Sequence, residues 1–112
     1  MIEVINNFRS QNGKGYVVNW DNVVSQYCTE HCWAMVRAGH LYHAQSCYLN
    51  GWAEIVAMKS RDSDWRDTEN HLIFDVLGKS NCHRNILLDY SIMAYGIIEW
   101  QLRVYLTIRA RR

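Results

Sequence analysis

Imidazoles, thiols, hydroxyls and carboxylates stand close together at two places in this 112-residue chain. The denser place is Lys79-Ser80-Asn81-Cys82-His83-Arg84-Asn85, followed by apolar Ile86-Leu87-Leu88. It falls between a helix predicted to end at Gly78 and a strand predicted from about Ser91, and such junctions are where a scaffold presents function. His83 is the first candidate site residue. Cys82 beside it invites a thiol nucleophile activated by an imidazole. Adjacency alone does not make that dyad, because sequence neighbours often point apart. The second place is His43, with Glu54 eleven residues on inside the apolar run Trp52–Met58. Two neutral imidazoles and a carboxylate can hold zinc with water in the open position, and bound water is acidified towards a nucleophile. The same residues also suit a hydrogen-bonded cluster that ties loops to a sheet. No glycine-rich phosphate loop or dinucleotide fingerprint is present.

The elements that must position these groups are legible from periodicity. Ile2, Ile5 and Phe8 predict a helix over 2–12, stopped by Gly13 and Gly15. Gly15-Tyr16-Val17-Val18 reads as extended towards Trp20. Asp21 or Asn22 suits the cap of a helix over about 22–38, with Val24, Tyr27, Cys28, His31, Met35 and Ala38 as its stripe and Gly39 as its end. His31 in that stripe predicts a buried imidazole with a hydrogen-bond partner. Residues 40–51 read as a polar, aromatic loop. Glu54 then lies at a site or faces solvent on an edge strand. Lys59–Asp64 reads as a charged loop. Asp62, Ser63 or Asp64 suits the cap of a third helix carrying Trp65, Thr68, Glu69, Leu72, Ile73, Val76 and Leu77. A short helical turn is expected at Ile86–Leu88. Ile92–Glu99 and Leu102–Arg109 predict a hairpin with its tight connection near Trp100 and Gln101. Val104, Leu106 and Ile108 alternate in it with Arg103, Tyr105, Thr107 and Arg109. Gly96 predicts a bulge or a helix packed close. Three helices and a late sheet make an α+β domain.

Composition narrows the classes. The chain is 49% hydrophobic with five Trp and seven Tyr, enough for one packed domain over 1–112 and against disorder. Net charge is +1, so no strong electrostatic steering is implied. The basic end Arg109-Ala110-Arg111-Arg112 is too short for a nucleic-acid surface and reads as a solvated tail. No apolar run approaches the ~20 residues of a membrane span. Met1 leads straight into an amphipathic pattern without a secretory leader, so the protein is expected to be intracellular or to have had a leader removed. Cys28 and Cys32 lie four apart on a predicted helix, as small core residues do. The four thiols leave both free cysteines and a bridge open, with Cys47–Cys82 the first pairing to test. No Cys-x-x-Cys pair supports a zinc ribbon.

Taken in order, these segments resemble the CAP superfamily, the cysteine-rich secretory, antigen 5 and pathogenesis-related 1 proteins, or SCP-like domains, and its short bacterial branch most. Asn6-x-x-Arg9 with Asn12-Gly13 resembles the opening of the family's first helix. Trp20-Asp21, Val24, Cys28, His31 and Met35 resemble its second helix, and Gly39-His40-Leu41-Tyr42-His43 the segment ending in its first site histidine. Ala53-Glu54-Ile55-Val56-Ala57 resembles the Glu-Asn-Ile-Ala motif. Ser80-Asn81-Cys82-His83-Arg84-Asn85-Ile86-Leu87 resembles Ser-Pro-Gly-His-Arg-x-Asn-Ile-Leu, one residue short. Tyr95-Gly96-Ile97 and Tyr105-Leu106-Thr107 resemble its closing strands.

The resemblance implies an α-β-α sandwich, its small and mainly antiparallel sheet flanked by helices, with a central cleft of two His and up to two Glu. Carried over, His43 and His83 are the metal ligands, for zinc or another divalent cation weakly held. Glu54 is the cleft carboxylate, and Ser80 stands at the place of the second Glu. No catalytic residue is implied. The function implied is an extracellular or cell-surface binding domain for a small apolar ligand or a protein partner. A metal-assisted hydrolase using the same cleft is the alternative, and a stability module within a larger exported protein is a third reading.

Overall fold

Capping chemistry sets the helix boundaries. In the computed structural model, which describes residues 1–17 and 19–112, the Asp21 side chain accepts the Val24 N–H at 2.9 Å and opens α2 (Asn22–Ala38). Gly39 closes it at φ +77, a left-handed position that suits a residue without Cβ. Asp64 accepts the Arg66 and Asp67 N–H groups and opens α4 (Trp65–Asn70). Before them comes α1 (Ile2–Gln11), whose buried stripe is Val4, Ile5, Phe8 and Arg9, while Ile2 is exposed. The expected extended run from Gly15 ends on Val18, which lies outside the described residues.

The loop after α2 carries one short helix, α3 (Ser46–Leu49), not foreseen in the polar stretch. β2 (Ala53–Ser60) follows, so Lys59 and Ser60 belong to a strand and the charged loop is shorter than expected. α4 runs on into a π turn, His71–Val76, and a 3-10 turn, Leu77–Lys79. The wider turn rotates the helix face: Leu72, Ile73 and Leu77 stay buried, but Val76, expected inside, is exposed. Gly78 lies where an added Cβ would fall 2.7 Å from the Phe8 ring and the Ile73 carbonyl. The Ser80–Leu88 stretch is more regular than expected, since Asn81–Asp89 form a full helix, α5. Arg9 holds the far end of α5: its Nη1 donates to the Leu87, Leu88 and Tyr90 carbonyls at 2.6, 3.1 and 2.8 Å. These are the groups a helix C-terminus leaves unpaired.

β3 (Ile92–Trp100) and β4 (Arg103–Arg111) form the hairpin. Its loop is Gln101–Leu102, one residue later than expected, with both residues at positive φ. Among the described residues the sheet runs β1-β3-β4-β2, where β1 is Asn19–Trp20. β1 pairs in parallel with Ile92 and Met93, and the other ladders are antiparallel. The ladder passes through Gly96 in unbroken register, Gly96 opposite Thr107, so there is no bulge. A Cβ at Gly96 would fall 2.3 Å from the Thr29 backbone nitrogen, so α2 sits directly on the strand.

The result is the expected α-β-α sandwich. On one face Ile55, Ala57, Met93, Leu106, Ile108 and Ala110 pack with α1, the π segment and α5. On the other, Val56, Met58, Ile98 and Tyr105 meet Cys32 and Met35 of α2. β4 lies in the middle, and every residue from Val104 to Ala110 is buried. Its apolar–polar alternation therefore separates two covered faces rather than core from solvent. Tyr27 and Ala38, expected in the α2 stripe, are exposed, and Cys28, His31, Cys32 and Met35 form its buried face.

Candidate functional site

A carboxylate inside an apolar strand needs partners, and Glu54 has three. It occupies the second position of the edge strand β2, with its side chain only 1% exposed. Its Oε2 accepts from Arg109 Nε at 3.1 Å, across the ladder from its register partner. Its Oε1 accepts the Ala44 N–H at 2.9 Å and lies 3.0 Å from His43 Nδ1. A carboxylate so donated to remains an acceptor for the imidazole. A proton on Nδ1 completes this contact, and Nε2 is then the other nitrogen of a side chain 58% exposed. A carboxylate behind the far nitrogen is the usual support of a metal-binding or proton-handling histidine.

The floor beneath this group is made of thiols. Cys32 Sγ contacts Thr107 Oγ1 at 3.3 Å and donates to the Gly96 carbonyl at 3.3 Å. Burial pushes the Cys28 thiol up to about 12 and the Cys32 thiol to about 11. Both are therefore protonated, inert packing groups. All four cysteines are free, Cys28 and Cys32 buried, Cys47 and Cys82 exposed, so the Cys47–Cys82 bridge is not formed and Cys82 is no packing residue.

The other two sequence candidates belong to the start of α5. His83 lies in the first turn of α5, partly buried. Ser80 is the residue before that helix, and its side chain makes no capping bond. Among the described residues no hydrogen bond or ion pair joins either to His43 or Glu54, and no group of three or more His, Cys, Asp or Glu is placed to hold a metal. Glu69 is buried 2.8 Å from the Met1 amino group. His31 is buried with Nε2 2.7 Å from the Tyr42 carbonyl, the structural histidine its position predicts.

Arg109 is the residue the sequence reading missed. It belongs to no solvated tail: Arg109 and Ala110 are buried in β4, and Arg111 and Arg112 lie over the rings of Trp52 and Tyr90. The signal in the sequence was Glu54 itself, because a carboxylate on a covered strand face needs donors, and a cation on the neighbouring strand is one way to supply them. Beyond Arg109 a groove of about 810 Å³ opens. One wall is the α2 face Tyr27, Glu30, His31, Ala34 and Arg37; the other is the loop that carries Tyr42, Ala44, Gln45, Cys47, Tyr48 and Asn50.

The sequence matches no family model and no curated protein. Solved structures match it along almost its whole length. An outer surface protein from Borrelia burgdorferi aligns over 99% of this chain and 89% of its own, with TM-score 0.70 and 10% identity. NaASP2, solved with Zn2+, aligns over 97% and 75%, with TM-score 0.69 and 12% identity. An extracellular SCP-domain protein from Bacillus anthracis aligns over 99% of this chain and 39% of its own, with TM-score 0.63 and 17% identity. At these identities the likeness is one of fold, and the fold is that of the CAP superfamily.

Proposed function

We propose that this CAP-fold chain is a binding domain that acts outside the cell and presents His43 as its polar contact. The observation that carries the reading is the buried, three-partnered Glu54 carboxylate. Ala44 N–H, Arg109 and His43 all engage it, and a side chain only 1% exposed is badly placed to take a proton from water. It serves as the support of an imidazole, which suits ligand capture better than hydrolysis. A divalent cation such as zinc, weakly held, is the proposed ligand of His43 Nε2, with His83 as second imidazole and Ser80 at the edge of the same cleft. The extracellular setting is supported by fold neighbours described as an outer surface protein and an extracellular SCP protein. No helix among the described residues is long and apolar enough to cross a membrane. The partner is a small apolar ligand or another protein.

Zinc titration by calorimetry tests the cation. Wild type is expected to give a weak binding heat that His43→Ala abolishes and His83→Ala reduces. Identical heats from all three would overturn the assignment. The competing reading, a metal-assisted hydrolase, requires zinc-dependent turnover of an ester or peptide panel that is lost in His43→Ala. No such turnover is expected.

A further inference from the structure

We infer that the groove between α2 and the 42–50 loop is a second binding site, one that takes a small organic carboxylate with an aromatic body. Arg109 lines the groove at its sheet side. Its side chain is 7% exposed, and only Nε is occupied, by Glu54. Among the described residues Nη1 and Nη2 make no hydrogen bond, yet no buried side-chain nitrogen lacks a partner. Neither terminal nitrogen is therefore sealed off without a partner, and the groove is a space that Arg109 lines. A guanidinium fixed through Nε and open at both ends of its fork is built for two parallel hydrogen bonds to a planar carboxylate.

The rest of the groove fits the body of such a ligand. Tyr27 is 53% and Tyr48 73% exposed, one on each wall, and neither is needed by a core. Aromatic faces that cost little to order are what a small aromatic ligand packs against. Arg37, one turn beyond Ala34 on the same helix face, adds a second cation. Glu30 shares that face and disfavours an anion with a second negative group there, which points to a monocarboxylate. The volume, about 810 Å³, lies in the range of small-molecule sites. The inference rests on the chain being a binding domain but uses neither His43 nor His83, so zinc binding and carboxylate binding stand or fall separately.

The probes are 3-phenylpropionate and its neutral amide, titrated into the full chain with EDTA present and followed by protein-observed NMR. The acid is expected to bind at least about tenfold more tightly than the amide, the difference a charge-assisted hydrogen-bond pair makes. Shifts should centre on Arg109, Tyr27 and Tyr48. Tyr48→Ala, at an exposed position that leaves the fold intact, should weaken both ligands about threefold to tenfold. Ala34→Trp, which fills the groove, should abolish binding. Equal affinity of acid and amide, no binding of either, or acid binding that survives Ala34→Trp would each overturn the proposal.

Discussion

The two faces of the sheet are covered by helices and hold together by different means. Under α1, the π segment and α5 the buried strand residues are apolar, with Ile55, Leu106, Ile108 and Met93 fully buried. Under α2 the same strands present Glu54, Thr107 and Arg109, and the helix answers with Cys28, Cys32 and His31. The first face is held by area removed from water. The second is held by specific partners, and α2 comes close enough to use them only because Gly96 has no side chain. A fold needs one face of the first kind; the second kind is where binding chemistry can be built.

The sharpest way to break this comparison is the Glu54–Arg109 pair. Glu54→Leu or Arg109→Met alone leaves one buried charge unpaired and should lower stability by about 3 kcal/mol or more, read by urea unfolding. The double variant should recover most of it. A double variant as unstable as the singles would mean that the pair holds the fold rather than the site. On the apolar face Leu106→Ala, fully buried, should lower stability by about 3 kcal/mol with no compensating partner available. Gly96→Ala should cost about 2 kcal/mol by pushing α2 from the strand, and the His43 ring resonances should shift with it; unchanged spectra would place α2 elsewhere.

The mildest test is pH. Unfolded, the two thiols of α2 ionise near 9; folded, they are held to about 12 and 11. The native state then keeps protons that the unfolded state gives up. Their contribution is therefore intact below pH 9 and is lost as pH rises towards 11 and 12. Thermal melts from pH 7 to 10.5 should be flat to about 9 and then fall, and a Cys28→Ala, Cys32→Ala chain should lack that fall. Native alkylation at pH 8 should modify Cys47 and Cys82 alone.

The apolar face was the legible one. α2 begins and ends where Asp21 and Gly39 say it must, and the hairpin follows from the alternation in 103–109, because caps and periodicity are local signals. The polar face was not, because its signals are long-range. Arg109 reads as a charged tail until β4 is known to lie between β2 and β3. His43 and Glu54 were found as residue types, and the structure joins them. His83 and Ser80 were chosen by the same reasoning, and among the described residues no hydrogen bond or ion pair joins them to the pair. The π turn was invisible, since an α-period stripe placed Val76 inside, and the close approach of the Phe8 ring and the Ile73 carbonyl to Gly78 is a tertiary feature that no local period reports.

The strand order carries a consequence for how the chain is made. β4 is one of the sheet's two inner strands, pairing with β3 across a two-residue loop and with β2 from Ala53↔Ala110 to Ser60↔Arg103. On the ribosome β2 therefore emerges with nothing to pair with, and it waits about fifty residues for a partner translated last among the strands. The hairpin closes first, since its contacts are local, and the capture of β2 is the slow, long-range step. Until then Ile55 and Ala57 are exposed on an unpaired strand, the kind of segment that chaperones shield. Halting synthesis before Arg103 would release no smaller version of the domain, only helices without a sheet to lie on.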